Sequence, residues 1–253
     1  MNKKLKFEIH YENNVKFNDS HKRELTLALD RWAEILDEDR TIKIIIGNLK
    51  SDGIGRVLGA GSFIDLDRER YLPSAIKICV DEKDIVPLEN SKIDKEKNSL
   101  YYFLLHELGH GFGIGSLWNW EHPKIPKKFI ESRKLVVSKK DFSPLDVPQK
   151  YKNNKAYAEL NPVYIGKNAT EAYRQILIKS GWAEEKAKKI NYIPIEDTGE
   201  FGTIGVHWDE HGRDGMPGLS NEILTGYLNP GVHNPISEIT IGALKDLGWN
   251  IKS

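Results

Sequence analysis

The sequence predicts an α+β protein: an α/β lobe with a twisted, mostly parallel sheet over residues 1–113, then a lobe of loops and helices over residues 114–253. Three observations carry this. An alternating strand pattern, an amphipathic helix and a β-branched run follow one another at the start of the chain, the succession that favours parallel pairing. A segment near residue 100 is apolar on all sides, which marks a buried helix. From about residue 117 to 205 the chain becomes lysine-rich and proline-punctuated, with no long periodic element, as expected of a lobe or insertion packed by turns.

In order, Leu5, Phe7, Ile9 and Tyr11 alternate with Lys6, Glu8, His10 and Glu12, the two-residue period of a half-buried strand. Asn18-Asp19-Ser20 is turn-prone, and Leu25, Leu29, Trp32, Ala33 and Leu36 recur at helical spacing, predicting a helix over 20–36 with Trp32 packed on the sheet. Ile42 to Ile46 is a nearly continuous β-branched run, suited to a central strand covered on both faces. The glycines at 53, 55 and 59 miss the Gly-x-Gly-x-x-Gly spacing of a nucleotide loop and no helical pattern follows. They are expected to shape loops around an edge strand near 58–64, an edge that could pair with an extended peptide. A charged turn over 65–70 precedes another strand at 75–80, which holds the lone cysteine, Cys79, as a small buried hydrophobe. Asp94 is the expected cap of the apolar helix. Later, Asn168 and Glu171 form a capping pair for a short helix that stops near Gly181, and Ser237 and Gly248 bracket a closing helix.

The chain has 253 residues, and Lys+Arg and Asp+Glu both number 37. A zero formal charge gives no reason to expect nucleic acid or an anionic membrane as partner. No apolar stretch approaches bilayer-spanning length. The residues after Met1 begin like the basic region of a signal peptide but run on into the first strand, so no signal sequence is expected.

The chemistry is concentrated in His106-Glu107-Leu108-Gly109-His110-Gly111-Phe112-Gly113. Histidines four apart on a helix share a face, so both imidazoles can reach one metal ion. Glu107 points beside that axis, where it can hold a metal-bound water without taking a coordination site. Gly113 can adopt a left-handed conformation, ending the helix and turning the chain toward a distant third ligand. Solvated histidines on a surface helix would be the plain alternative, but Leu100 to Leu105 ahead of them are apolar all round, and buried imidazoles need partners. In the commonest metzincin spacing the third histidine would fall at position 116, which is Ser116. The remaining candidates are His122, His207, His211, His233 and the carboxylate of Glu171.

Leu29-Asp30-Arg31-Trp32, Val57-Leu58-Gly59, the stretch 106–115 with Leu117-Trp118, Gly202-Thr203, His207-Trp208, 222–226 and 239–249 occur in an order that resembles the leishmanolysin family of metzincins. In that family a long insertion separates the turn glycine from the third histidine. The resemblance implies a metzincin-like zincin with a single catalytic domain, His106, His110 and His207 on one catalytic zinc, and Glu107 as general base. The loop at Leu224 is then similar to the family's Met-turn, with leucine standing where the family has methionine; the two are close in volume and both apolar. Tyr227 is expected to pack the floor of the site, the alternative being to stabilise an oxyanion. The expected function is a monomeric zinc-dependent endopeptidase acting on a protein or peptide substrate. Two other readings stay open: a peptidase with Glu171 as third ligand, and a catalytically silent zinc-bound scaffold that recognises a partner through 117–205. Secretion is the family expectation, against a cytoplasmic location if this chain is native and full length. Calcium is a further expectation, at the 65–70 turn or near Asp209 to Asp214.

Overall fold

A computed structural model of the chain describes residues 5–93, 97–119, 125–145, 158–199, 202–228 and 233–252. The chain divides into two compact units. The first takes residues 1–113, 227–234 and 249–253, and the second takes 114–226 and 235–248, so the polypeptide returns twice to the first unit. The fold is mixed α and β. Among the described residues, no helix is long and apolar enough to cross a membrane.

In the first unit, strand β1 (Lys6–Tyr11) leads into helix α1 (Asp19–Ile35), then β2 (Thr41–Leu49), β3 (Gly59–Leu66) and β4 (Pro73–Asp81). The sheet order is β1-β2-β4-β3. β1 with β2 and β2 with β4 are parallel, while β3 runs antiparallel to β4 at the edge. The sheet is therefore mostly parallel, with β2 inside it. Ile42, Ile44 and Ile46 are buried completely, whereas Lys43 is exposed and Ile45 only half-buried. The run predicted to be covered on both faces is thus covered on one. Cys79 lies in β4, half-buried.

α1 opens at Asn18, whose side chain accepts from the His21 amide while the His21 ring accepts from the Asn18 amide. Its buried face packs on helix α3 (Ser99–Gly111), which follows the short α2 (Ile85–Asn90). Trp32 ties that helix pair together: its indole Nε1 donates to the Leu105 carbonyl at 3.1 Å and its ring lies 5.3 Å from Phe112, which in turn lies 6.4 Å from Phe7 of β1. Phe112 also meets Trp249 at 5.7 Å and accepts from its indole at 2.9 Å. A ring completely buried in such a cluster contributes about 1.5–3 kcal/mol over leaving it exposed. The charged turn at 65–70 is organised by Asp67, which accepts from the amides of Glu69, Arg70, Tyr71 and Leu72 and pairs with Arg40. Those bonds hold its carboxyl below the usual carboxylate range, against the effect of burial.

The second unit has a small sheet of β5 (Val136–Ser138), β6 (Pro162–Tyr164) and β7 (Ile193–Pro194) in that order, with the helices α4 (Lys127–Ser132), α5 (Lys167–Lys179), α6 (Glu184–Ala187) and α7 (Glu238–Leu247). Its core is an aromatic trio, Trp118, Tyr164 and Trp208, with ring centroids 4.9 to 5.2 Å apart. α7 starts at Ser237 and ends at Gly248, as predicted. α5 does not use the predicted capping pair. Asn168 lies inside its first turn, and Asp246 of α7 accepts from the Asn168 amide and side chain, both at 2.8 Å, and from the Ala169 amide at 3.1 Å. A cap supplied from another helix leaves no local signature in the sequence. Replacing Asp246 with Ala should lower stability by about 1–2 kcal/mol, the usual value of a helix cap, read as a lower denaturant midpoint at unchanged m-value.

Candidate metal centre

α3 is apolar nearly all round, with Leu100, Tyr102, Phe103, Leu104, Leu105 and Leu108 all buried. Its cap is Asn98, which accepts from the Tyr101 amide at 3.1 Å; the predicted cap, Asp94, lies outside the described residues. His106 and His110 bring their Nε2 atoms to 3.0 Å, with the rings nearly perpendicular. Two nitrogens bound tetrahedrally to zinc at about 2.0–2.1 Å lie roughly 3.3 Å apart, so this spacing suits two ligands of one ion. The helix stops after Gly111, and Gly113, at φ 109°, donates to the His110 carbonyl. That backbone state strains any residue with a Cβ, and the turn predicted at this glycine is present.

Glu107 is 6% exposed. Burial pushes its carboxyl up to about 8, partly opposed by a hydrogen bond from the Gly61 amide on β3. That bond requires β3 to lie almost against the helix: a Cβ at Gly61 would sit 2.1 Å from the Glu107 carbonyl oxygen. Sequence reasoning placed the edge strand correctly but missed Gly61, whose signal was a Gly-Ala-Gly run inside a strand.

His207 is 5% exposed and sits on a short ladder in the second unit. Glu196 donates its amide to the His207 carbonyl at 3.0 Å, and Trp208 donates its amide to the Leu224 carbonyl at 2.9 Å. The Nδ1 atom of His207 lies 2.8 Å from the Thr203 carbonyl. A carbonyl only accepts, so Nδ1 carries the proton and Nε2 keeps its lone pair for a metal.

One ligand atom from each of His106, His110 and His207 lies within 4.8 Å of the other two, a group that could hold a metal ion. The remaining candidates fall elsewhere. Glu171 stands on the exposed side of α5 with Arg174 and Gln175 as partners. His211 is exposed, and so is His233, which bonds the Tyr102 hydroxyl through Nδ1. His122 lies outside the described residues. Leu224 is completely buried, while Tyr227 is 46% exposed. Near the proposed calcium site, Asp209 pairs with Arg213 and Asp214 with Lys139. Those acids face bases, an arrangement that favours ion pairs over cation capture.

Comparison with family models and with curated proteins returned no match. The metal content of two variants separates the ligand readings. His207→Ala should lose bound metal on dialysis while Glu171→Ala retains it at the stoichiometry of the parent, as read by atomic emission on gel-filtered protein.

Proposed function

We propose that this chain is a zinc-dependent endopeptidase related to the leishmanolysin type of metzincin. The observation that carries the reading is a buried carboxylate, Glu107, beside a three-histidine group whose two helical members sit at ligand spacing. The parallel sheet with one antiparallel edge, the helix bearing both histidines and the glycine exit turn support the metzincin assignment. Three neutral imidazoles with no acidic neighbour in the group favour zinc over a hard cation such as calcium.

Bound zinc would supply a Lewis acid that lowers the pKa of water toward neutrality and polarises a substrate carbonyl. The chain supplies the rest. Thr203 fixes the tautomer of His207, so that nitrogen is presented without a proton to displace. Glu107 takes the proton from the attacking water and returns it to the leaving amine, a duty it performs in its ionised form, which a dication held beside it would favour over the protonated form that burial favours in the metal-free protein. The Gly61 amide keeps that carboxylate oriented during both transfers. Leu224 gives the loop over 222–226 an apolar anchor, the part that methionine plays in the family.

Glu107→Gln keeps the size and the Gly61 contact but cannot accept a proton. It should cut casein or peptide-library cleavage by at least about a hundredfold while metal content is unchanged, with a chelator abolishing the activity of the parent. Full activity in this variant would end the peptidase reading. A parent protein that holds zinc yet cleaves nothing would favour the silent scaffold.

The burial of Glu107 also gives a pH signature in the metal-free protein. Its folded pKa, about 8, lies above the ordinary 4.5, so the folded state holds a proton that the unfolded chain has released. That contribution to stability is complete below the ordinary value and is lost as pH rises through the folded one. Chelator-treated parent should therefore show a steeper fall in Tm from about pH 5 to about pH 8 than Glu107→Gln does.

A further inference from the structure

We propose that Glu222 is a positioning residue for His207, setting the place of that imidazole through two arms that meet on Trp208. The inference rests on His207 being a metal ligand.

Glu222 is buried in the second unit, and its carboxyl accepts four hydrogen bonds there. One oxygen accepts from the Leu224 amide at 2.5 Å. The other accepts from the Ser237 amide at 3.1 Å, the Ser237 hydroxyl at 3.0 Å and the Thr240 hydroxyl at 2.6 Å. The Thr240 oxygen already receives the Trp208 indole N–H at 3.0 Å, so its own proton is turned toward Glu222. The Ser237 oxygen likewise receives the Ile239 amide at 3.2 Å. Four converging donors call for an acceptor with several lone pairs, which a carboxylate has and no apolar side chain has.

The two arms end on the neighbour of His207. Along the first, Leu224 donates its amide to Glu222 and accepts the Trp208 amide on its carbonyl at 2.9 Å. Along the second, Thr240 links the Trp208 indole to Glu222. Backbone and side chain of Trp208 are thus both tied to one carboxylate, and its ring is wedged between Trp118 and Tyr164. With Trp208 held at both ends and the His207 ring held by Thr203, little freedom remains between them. Leu224 lies in the loop, and Ser237 and Thr240 both lie at the start of α7, so their bonds to Glu222 alone support only the loop and that helix start. The Trp208 indole on Thr240 and the Trp208 amide on Leu224 are what point to His207.

The test uses the full chain reconstituted with Zn2+ or Co2+, in Glu222→Gln, Thr240→Val and His207→Ala. Zinc affinity is measured by competition with a chromogenic chelator, ligand geometry by the visible absorption of the cobalt form, and folding by the Tm of metal-free protein. Glu222→Gln puts an amide N–H2 against one set of donors, and Thr240→Val cuts the indole arm while keeping shape. Both should weaken zinc binding about tenfold or more, in the range seen for outer-shell partners of metal ligands, and shift the cobalt spectrum. Parent-like zinc affinity and cobalt spectrum in both variants, whatever their Tm, would overturn the proposal. Should Glu222→Gln fail to fold, Thr240→Val decides alone. If His207→Ala itself binds zinc like the parent, the ligand reading of His207 fails, and the proposal with it. If His207→Ala loses the metal while the other two keep it, the proposal alone fails.

Discussion

The molecule depends on the cost of placing polar groups in an apolar helix. α3 is lined on every side by Leu, Tyr and Phe, yet two imidazoles and a carboxylate are built into it within five residues. Buried polar groups need partners, and buried charge needs them most. The structure provides them: the Gly61 amide for Glu107 and the second ring for each histidine, in a group that could also hold a metal ion. Much else in the first unit follows from this helix. β3 must run close enough to reach Glu107, so it carries glycine where any side chain would collide. α1 packs on the same helix, and its Trp32 bonds the Leu105 carbonyl.

What the sequence revealed and what it hid divide along a physical line. Features set within a few residues were legible: the strand alternation at β1, the stop at Gly113, the limits of α7, the edge strand after the glycine-rich loop. Features set by contact between distant segments were not. The α5 cap comes from Asp246, on a different helix. The bond from the Trp32 indole to the Leu105 carbonyl, on another helix, is likewise absent from the local pattern.

The candidate centre was legible to the same degree. Two histidines at helical spacing announce themselves, since one turn of helix determines how they lie. His207 was one of several histidines until a resemblance singled it out, and nothing local to it spells metal. Its distinguishing marks are the Thr203 carbonyl behind the ring and the ladder on either side, both products of tertiary structure. Glu222 went further unnoticed, because a glutamate in a loop looks solvated until its four donors are seen around it.

The double return of the chain to the first unit bears on biosynthesis. Trp249 completes the ring cluster around Phe112, Asn250 accepts from Asp37, and Lys252 donates to Ile35. The sheet and the helix of the two neighbouring histidines are made early, yet their last packing partners are translated after the whole second unit. A nascent chain emerging from the ribosome therefore carries an unfinished sheet domain, its aromatic pocket open, while the intervening residues are still being added. The unit that begins first is the one whose core closes last.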